Sequence, residues 1–274
     1  MIVQNQGTDV RKFLLTLVLL AYALPAAARD LPPGFVYLRD IDPSIAQDMR
    51  YASPDNFTGQ PLPGYDAPEC VLRRDAALAL RQVQADLARI AHEPEKWEPV
   101  FGKDHVPGER LSLKTYDCYR PTRAVAAMAR WSQSRDDGRT KRFYPALEKR
   151  TLFASGYIAA RSAHSTGTAI DLTLIRLPGP AAAPYDPRAS YGPCTASAAQ
   201  RAPDTGIDMG TGFDCFDTKS HTAAIGGEPK RWRDVLGNVM RARGFHNYFR
   251  EWWHFTYGPQ PPQAYDFPIA PRGR

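Results

Sequence analysis

Three stretches of the chain repeat apolar residues every three or four positions, and four shorter runs are rich in Thr, Tyr, Ile or Leu. Over 72–91, Leu80, Val83, Leu87 and Ile90 follow at helical spacing with charges between them, which predicts an amphipathic helix covering a sheet face. A second helix is predicted to begin at Pro121, a favoured first-turn residue, and to run through Val125, Met128 and Trp131. A third, from Pro229 to Arg243, places Trp232, Leu236, Val239 and Met240 on one stripe and stops at Gly244. Leu111 to Tyr116, Gly156 to Ala160, Thr168 to Leu174 and Trp252 to Tyr257 read as strands. Helices and strands come irregularly, without the repeated βαβ of a doubly wound fold. The expectation is therefore α+β: a single domain with a mainly antiparallel central sheet flanked by helices. Residues 176–230 are full of Gly, Pro, Ala and Asp, predicting a long irregular excursion from that core.

Composition narrows the class. With 43% hydrophobic and 23% charged residues, the 274-residue chain is neither disordered nor collagen-like, and 25 prolines favour loops over a plain helical bundle. Arg11 and Lys12 precede the apolar run Phe13 to Leu24, and Pro25, Ala26, Ala27 and Ala28 follow. That basic, apolar and small-residue order reads as a signal peptide over 1–28, cleaved after Ala28, with the mature domain over 29–274. The run ends too early for a membrane span, so no stable membrane insertion is expected after cleavage. Cleavage removes two basic residues and Asp9, taking the net charge from +6 to +5 over 246 residues. The basic residues are scattered among acids, which argues against a nucleic-acid partner. Cys70, Cys118, Cys194 and Cys215 form an even set in an exported chain, where disulfides persist. Of three possible pairings, Cys70–Cys118 with Cys194–Cys215 is preferred, because each closes a modest loop on its own side of the central motif. A structural zinc site lacks the C-x-x-C pair it would need.

The central motif runs from Ser162 to Asp171, with His164 and Asp171 seven apart and Gly167 between them. Two metal ligands fit that frame only if the backbone turns, because an odd separation along a strand sends side chains to opposite faces; Gly167 is where it can turn. Downstream, Glu251-Trp252-Trp253-His254 adds an imidazole and a carboxylate. Zinc hydrolases keep three protein ligands and an open position, with a non-ligand carboxylate to take a proton from the attacking water. His164, Asp171 and His254 would be the ligands and Glu251 the base. Arg120, in Tyr116-Asp117-Cys118-Tyr119-Arg120-Pro121, would precede a helix and stabilise an oxyanion. Blander readings stand beside these: Glu251 pairing with Arg250 or Arg243, and Arg120 pairing with Asp117 at the surface. His92, His105, His221 and His246 lack such a frame, although Asp214 and Asp217 beside His221 could receive a substrate ammonium.

Taken together, these segments resemble the VanX-type D-alanyl-D-alanine dipeptidases, zinc enzymes related to D-Ala-D-Ala carboxypeptidases and the hedgehog domain. The likeness runs from Tyr51-Ala52-Ser53-Pro54-Asp55-Asn56-Phe57-Thr58-Gly59 through Asp117 to Pro121, Ser162 to Leu174, Met209 to Asp214, and Glu251 to His254. It implies one Zn2+ per chain on His164, Asp171 and His254, Glu251 as general base and later proton donor, and Arg120 polarising the scissile carbonyl. It also implies Asp214 as acceptor of the dipeptide's free amino group, with Tyr51 and Ser162 lining a small pocket, and hydrolysis of D-Ala-D-Ala to two D-alanines. Two departures stand out: Cys118 where the family often has glycine, and the signal peptide with the extended 176–208 region. A wall-stem carboxypeptidase and a non-catalytic wall-binding protein are the competing functions.

Overall fold

The helical stripe at Leu80, Val83 and Leu87 is buried, on a helix that runs over Arg74–Ile90 in the computed structural model of the protein. The structure describes residues 30–90, 110–179, 183–259 and 263–272, with residues 1, 181 and 261. The expected signal segment, His92 and His105 lie outside the described residues. Strands are β1 Phe35–Tyr37, β2 Ala46–Gln47, β3 Val71–Arg73, β4 Arg110–Asp117, β5 Ala169–Leu177, β6 Phe245–Asn247 and β7 His254–Tyr257. Helices are α1 Leu38–Ile41, α2 Arg74–Ile90, α3 Thr122–Gln133 and α4 Gly227–Ala242. β1 and β3 pair antiparallel, and a five-stranded sheet has the order β2-β4-β5-β7-β6, antiparallel except for the short β2 beside β4.

Helix α2 lies on β4, where the Gln84 amide donates to Ser112 Oγ at 2.8 Å and its carbonyl accepts from the Leu113 amide at 2.9 Å. Trp232, Leu236, Val239 and Met240 of α4 are buried, and Arg243 grips the buried Asp86 of α2 at 2.6 and 2.7 Å. The two helices thus cover the sheet together. Gly244, at φ +85, gives α4 the left-handed exit that a side chain would resist. On α3, Val125 and Met128 are buried.

Three sequence expectations need correction. Leu72 and Arg73, expected in the first helix, belong to β3, because pairing with β1 claims their backbone. Pro121 stands just outside α3, its ψ of 143° extended, so it precedes the first turn instead of entering it. Gly156 to Ala160 is not a strand: Gly156 is left-handed at φ +79, and the amides of Tyr157 and Ile158 both turn back to the Leu152 carbonyl. The excursion begins after β5 and, among the described residues up to Gly226, holds only two 3-10 turns, Ala198–Gln200 and Thr218–Ser220.

Both preferred disulfides are present, Cys70–Cys118 and Cys194–Cys215, with sequence separations of 48 and 21. The first joins the residue before β3 to the residue after β4; the second pins the excursion. By loop-closure entropy the longer loop stabilises more, about 4 kcal/mol against about 3 kcal/mol. Replacing Cys70 and Cys118 by Ala is expected to lower unfolding free energy by about 2–4 kcal/mol in urea titration, and more than replacing Cys194 and Cys215.

Candidate metal centre

One register row crosses the sheet here: Asp117 on β4 stands opposite Asp171 on β5, and Asp171 opposite His254 on β7. Residues in such a row point to the same face. His164 joins them from a 3-10 turn over Ala163–Thr166, capped by Ser162, whose Oγ accepts the His164 amide at 3.3 Å. Gly167 then turns at φ +80 and the chain enters β5. The backbone reversal that the odd His164 to Asp171 spacing demands is made at this glycine.

His164 Nε2 lies 3.1 Å from His254 Nδ1, and both face Asp171 Oδ1, at 3.3 and 3.0 Å. Four-coordinate ions with bonds of about 2.0–2.2 Å separate neighbouring ligand atoms by about 3.3–3.6 Å, so these three atoms need open by only a few tenths of an ångström to hold one. They are the group of His, Cys, Asp or Glu among the described residues that fits an ion. His164 Nδ1 donates to the Cys118 carbonyl at 2.7 Å, which leaves Nε2 with its lone pair toward the centre. Burial raises Asp171, but the two imidazoles outweigh it and hold its carboxyl well below the usual range. Burial opposes the charge on His254, yet its bond to Asp171 raises it above its ordinary value.

Glu251 sits in the turn before β7, its carboxylate 3.8 Å from His254 Nδ1 and outside the ligand group. Burial foremost, and then the charge of Asp171, pushes it up to about 7, a range in which a carboxyl group both accepts and releases a proton. It pairs with neither Arg250 nor Arg243, which bond Ser155 and Asp86 instead. Arg120 does pair with Asp117, at 2.8 Å, but in a buried setting: its guanidinium also reaches Asp171 at 3.5 Å and stacks 4.9 Å over the Tyr51 ring. The Tyr51 hydroxyl donates to Asp214 at 2.9 Å, and Asp214, at φ +56, is raised well above its usual value by burial and then by Asp171. Glu251, Arg120, Tyr51 and Asp214, with Ser162 and the three grouped residues, line a cleft of about 510 Å3.

Asp217 is not in that cleft; it caps a 3-10 turn by accepting the Lys219 amide. His221 meets Tyr157 instead of the centre. Sequence reasoning missed Asp117 as a supporting residue. It is fully buried, accepts from Tyr65 OH at 2.6 Å and Arg120 Nε at 2.9 Å, and lies 3.3 Å from Nδ1 of His164. Its place beside Arg120 in the motif was the available signal.

The M15 peptidase family, described as D-Ala-D-Ala dipeptidase, matches residues 198–270, a span holding Asp214, Glu251 and His254. Longer likenesses take in the rest. A D-alanyl-D-alanine dipeptidase of Streptomyces coelicolor is 36% identical over 242 residues, covering 86% of this chain and 98% of the relative. One of Enterococcus faecalis is 31% identical over 244 residues with the same two coverages. The chain belongs to the D-alanyl-D-alanine dipeptidase family. An Escherichia coli member is 28% identical over 236 residues, covering 85% of this chain and 88% of that one. M15 peptidases depend on a metal, and the His164, Asp171 and His254 group is where this family member would hold it.

A Cβ at Gly167 would fall 2.3 Å from the Phe35 ring in a conformation that side chains resist. Gly167→Ala is expected to cost about 1–3 kcal/mol of stability and to lower bound metal per chain, read by thermal melting and elemental analysis.

Proposed function

We propose that the protein is a zinc dipeptidase that hydrolyses D-alanyl-D-alanine to two D-alanines. The observation that carries this reading is the convergence, in one buried cleft, of three ligand atoms within 3.0–3.3 Å of one another and a carboxyl group outside the set poised at about 7. A bound Zn2+ would supply Lewis acidity, easing deprotonation of a water and polarising the scissile carbonyl. Glu251 takes the proton from water as the water oxygen bonds to the carbonyl carbon. It then delivers that proton to the leaving nitrogen as the C–N bond breaks, so that one dipeptide and one water give two amino acids. Arg120, held on edge by Asp117, turns its charge toward the oxygen on which negative charge grows. Asp214, oriented by Tyr51, receives the dipeptide's ammonium in the cleft, and Ser162 lines the pocket. An ammonium arriving there meets a carboxyl group that burial has raised and favours its ionised form. The relatives' names, which specify the same dipeptide, support the substrate.

We further place the enzyme outside the cytoplasm, acting on wall-derived dipeptide. The signal-like order of residues 11–28 supports export, and two disulfides suit an oxidising compartment. Among the described residues no helix is long and apolar enough to cross a membrane.

Purified protein is expected to release D-alanine from free D-Ala-D-Ala, to lose that activity with a chelator, and to leave an N-acylated stem peptide intact. Cleavage of the stem peptide would make it a wall carboxypeptidase, and release from neither substrate by zinc-loaded protein would make it a binding module.

Because Glu251 acts as a base, kcat/KM should fall as pH drops through its pKa, which a bound cation moves below the value of about 7 set by burial. Glu251→Gln should lose at least about 10³-fold in kcat and keep its metal. An acid limb unchanged from wild type in any residual Glu251→Gln activity would contradict the assignment.

A further inference from the structure

Arg233 is a buried cation for which the reaction above has no use. It projects from α4 and is 1% exposed, yet among the described residues no carboxylate accepts a hydrogen bond from it. All three guanidinium nitrogens donate to main-chain carbonyls instead: Nε to Met209 at 2.8 Å, Nη1 to His221 at 2.8 Å and Nη2 to Lys219 at 2.9 Å. Burial pushes its pKa down to about 10, with only the more distant Asp208 opposing. Placing such a group in the interior is costly, so what it holds is informative.

The three carbonyls belong to the two arms of one loop. Met209 precedes Asp214, and Lys219 and His221 follow it, so the guanidinium bridges the base of the segment that carries Asp214 at its tip. Asp214 itself occupies the left-handed region at φ +56, where a residue with a side chain persists only if its surroundings hold it. Further bonds brace the same loop: Ser220 Oγ donates to the Cys215 carbonyl at 2.7 Å, and Trp252 Nε1 donates to Thr211 Oγ1 at 2.9 Å. The loop also touches the segment of Glu251, the Ser220 carbonyl accepting from the Trp252 amide at 3.1 Å, but the Glu251 carbonyl has a bond of its own outside the loop, accepting from Asn247 Nδ2 at 3.0 Å in the β6–β7 hairpin.

We propose that Arg233 is a positioning residue for substrate-amine recognition: by tying both arms of the 209–221 loop, it keeps the Asp214 carboxylate beside Tyr51 in the cleft. This rests on the reading of Asp214 as the amine's acceptor. Such a clamp calls for arginine. A planar fork reaches three carbonyls in different directions, whereas a lysine ammonium on one nitrogen cannot span them and leaves buried oxygens unpaired.

The test uses the zinc-loaded enzyme and free D-Ala-D-Ala, with kcat and KM measured separately for Arg233→Lys, Arg233→Met, Asp214→Asn and the Arg233→Lys/Asp214→Asn pair. The expected result is a KM raised about tenfold in both Arg233 variants, kcat within about threefold, and metal content unchanged. In the Asp214→Asn background, Arg233→Lys should raise KM no further, since both act on one contact. If the Arg233 variants do not fold, Ser220→Ala, which removes the bonds of Ser220 Oγ to the Cys215 carbonyl and to Thr211 Oγ1 within the loop, should raise KM in the same direction. A lower melting temperature with KM unchanged in Arg233→Lys, beside a raised KM in Asp214→Asn, would overturn the clamp alone. An unchanged KM in Asp214→Asn would overturn the amine reading and the clamp with it.

Discussion

Asp171 carries a negative charge 2% exposed to solvent, and the arrangement around it follows from the need to balance that charge. Strand register sets Asp117 beside it, and Asp214 and Glu251 face the same cleft. Four carboxyl groups thus surround one guanidinium, that of Arg120, which bonds Asp117 and reaches Asp171. The imbalance is visible in the acids: Asp117, Asp214 and Glu251 are all raised, burial first, and Asp171 alone is held low, by its two imidazoles. Such a site favours added positive charge. A dication at the imidazoles and, on the proposed reading, an ammonium at Asp214 would answer that demand at two different points.

The scaffold places these groups through main-chain contacts as much as through side chains. Cys118, at the end of β4, offers its carbonyl to His164 Nδ1 and its sulfur to Cys70. The neighbouring strand β3 adds two more ties, its Val71 carbonyl accepting from the Tyr119 amide and its Arg73 amide donating to the Gly167 carbonyl, both at 2.8 Å. A cysteine at this position therefore connects a ligand's tautomer to a covalent crosslink. A glycine there would offer the same carbonyl without the tether. A second cavity behind the Asp214 loop is lined by Arg50, Arg142 and Arg201, but these pair with Asp55, Asp204 and Asp208 in a salt network of the scaffold.

Much of this was legible from the chain. Periodicity gave the three long helices because their stripes are wide and uninterrupted, and the strands of the site stood out through Thr168 to Leu174 and Trp252 to Tyr257. The convergence of His164, Asp171 and His254 was readable because they lie in short motifs whose spacing limits their geometry. Short strands were not: β1, β2, β3 and β6 hold two or three residues each, too few for a period to show. Gly156 to Ala160 has strand-like residues without a partner strand, a property of tertiary pairing that local composition does not contain. Asp117 and Arg233 were missed because their value lies in what they touch across the fold, at Tyr65 and at the three carbonyls around Asp214.

The central claim is that His164, from the turn before β5, together with Asp171 on β5 and His254 on β7, holds one divalent cation through defined atoms. Anomalous diffraction at the zinc edge from crystals of the metal-loaded protein tests it most directly. The account predicts one full-occupancy peak within about 2.0–2.2 Å of His164 Nε2, His254 Nδ1 and a carboxylate oxygen of Asp171, with His164 Nδ1 still on the Cys118 carbonyl. A peak at other residues, or no peak in protein that hydrolyses the dipeptide, would contradict it.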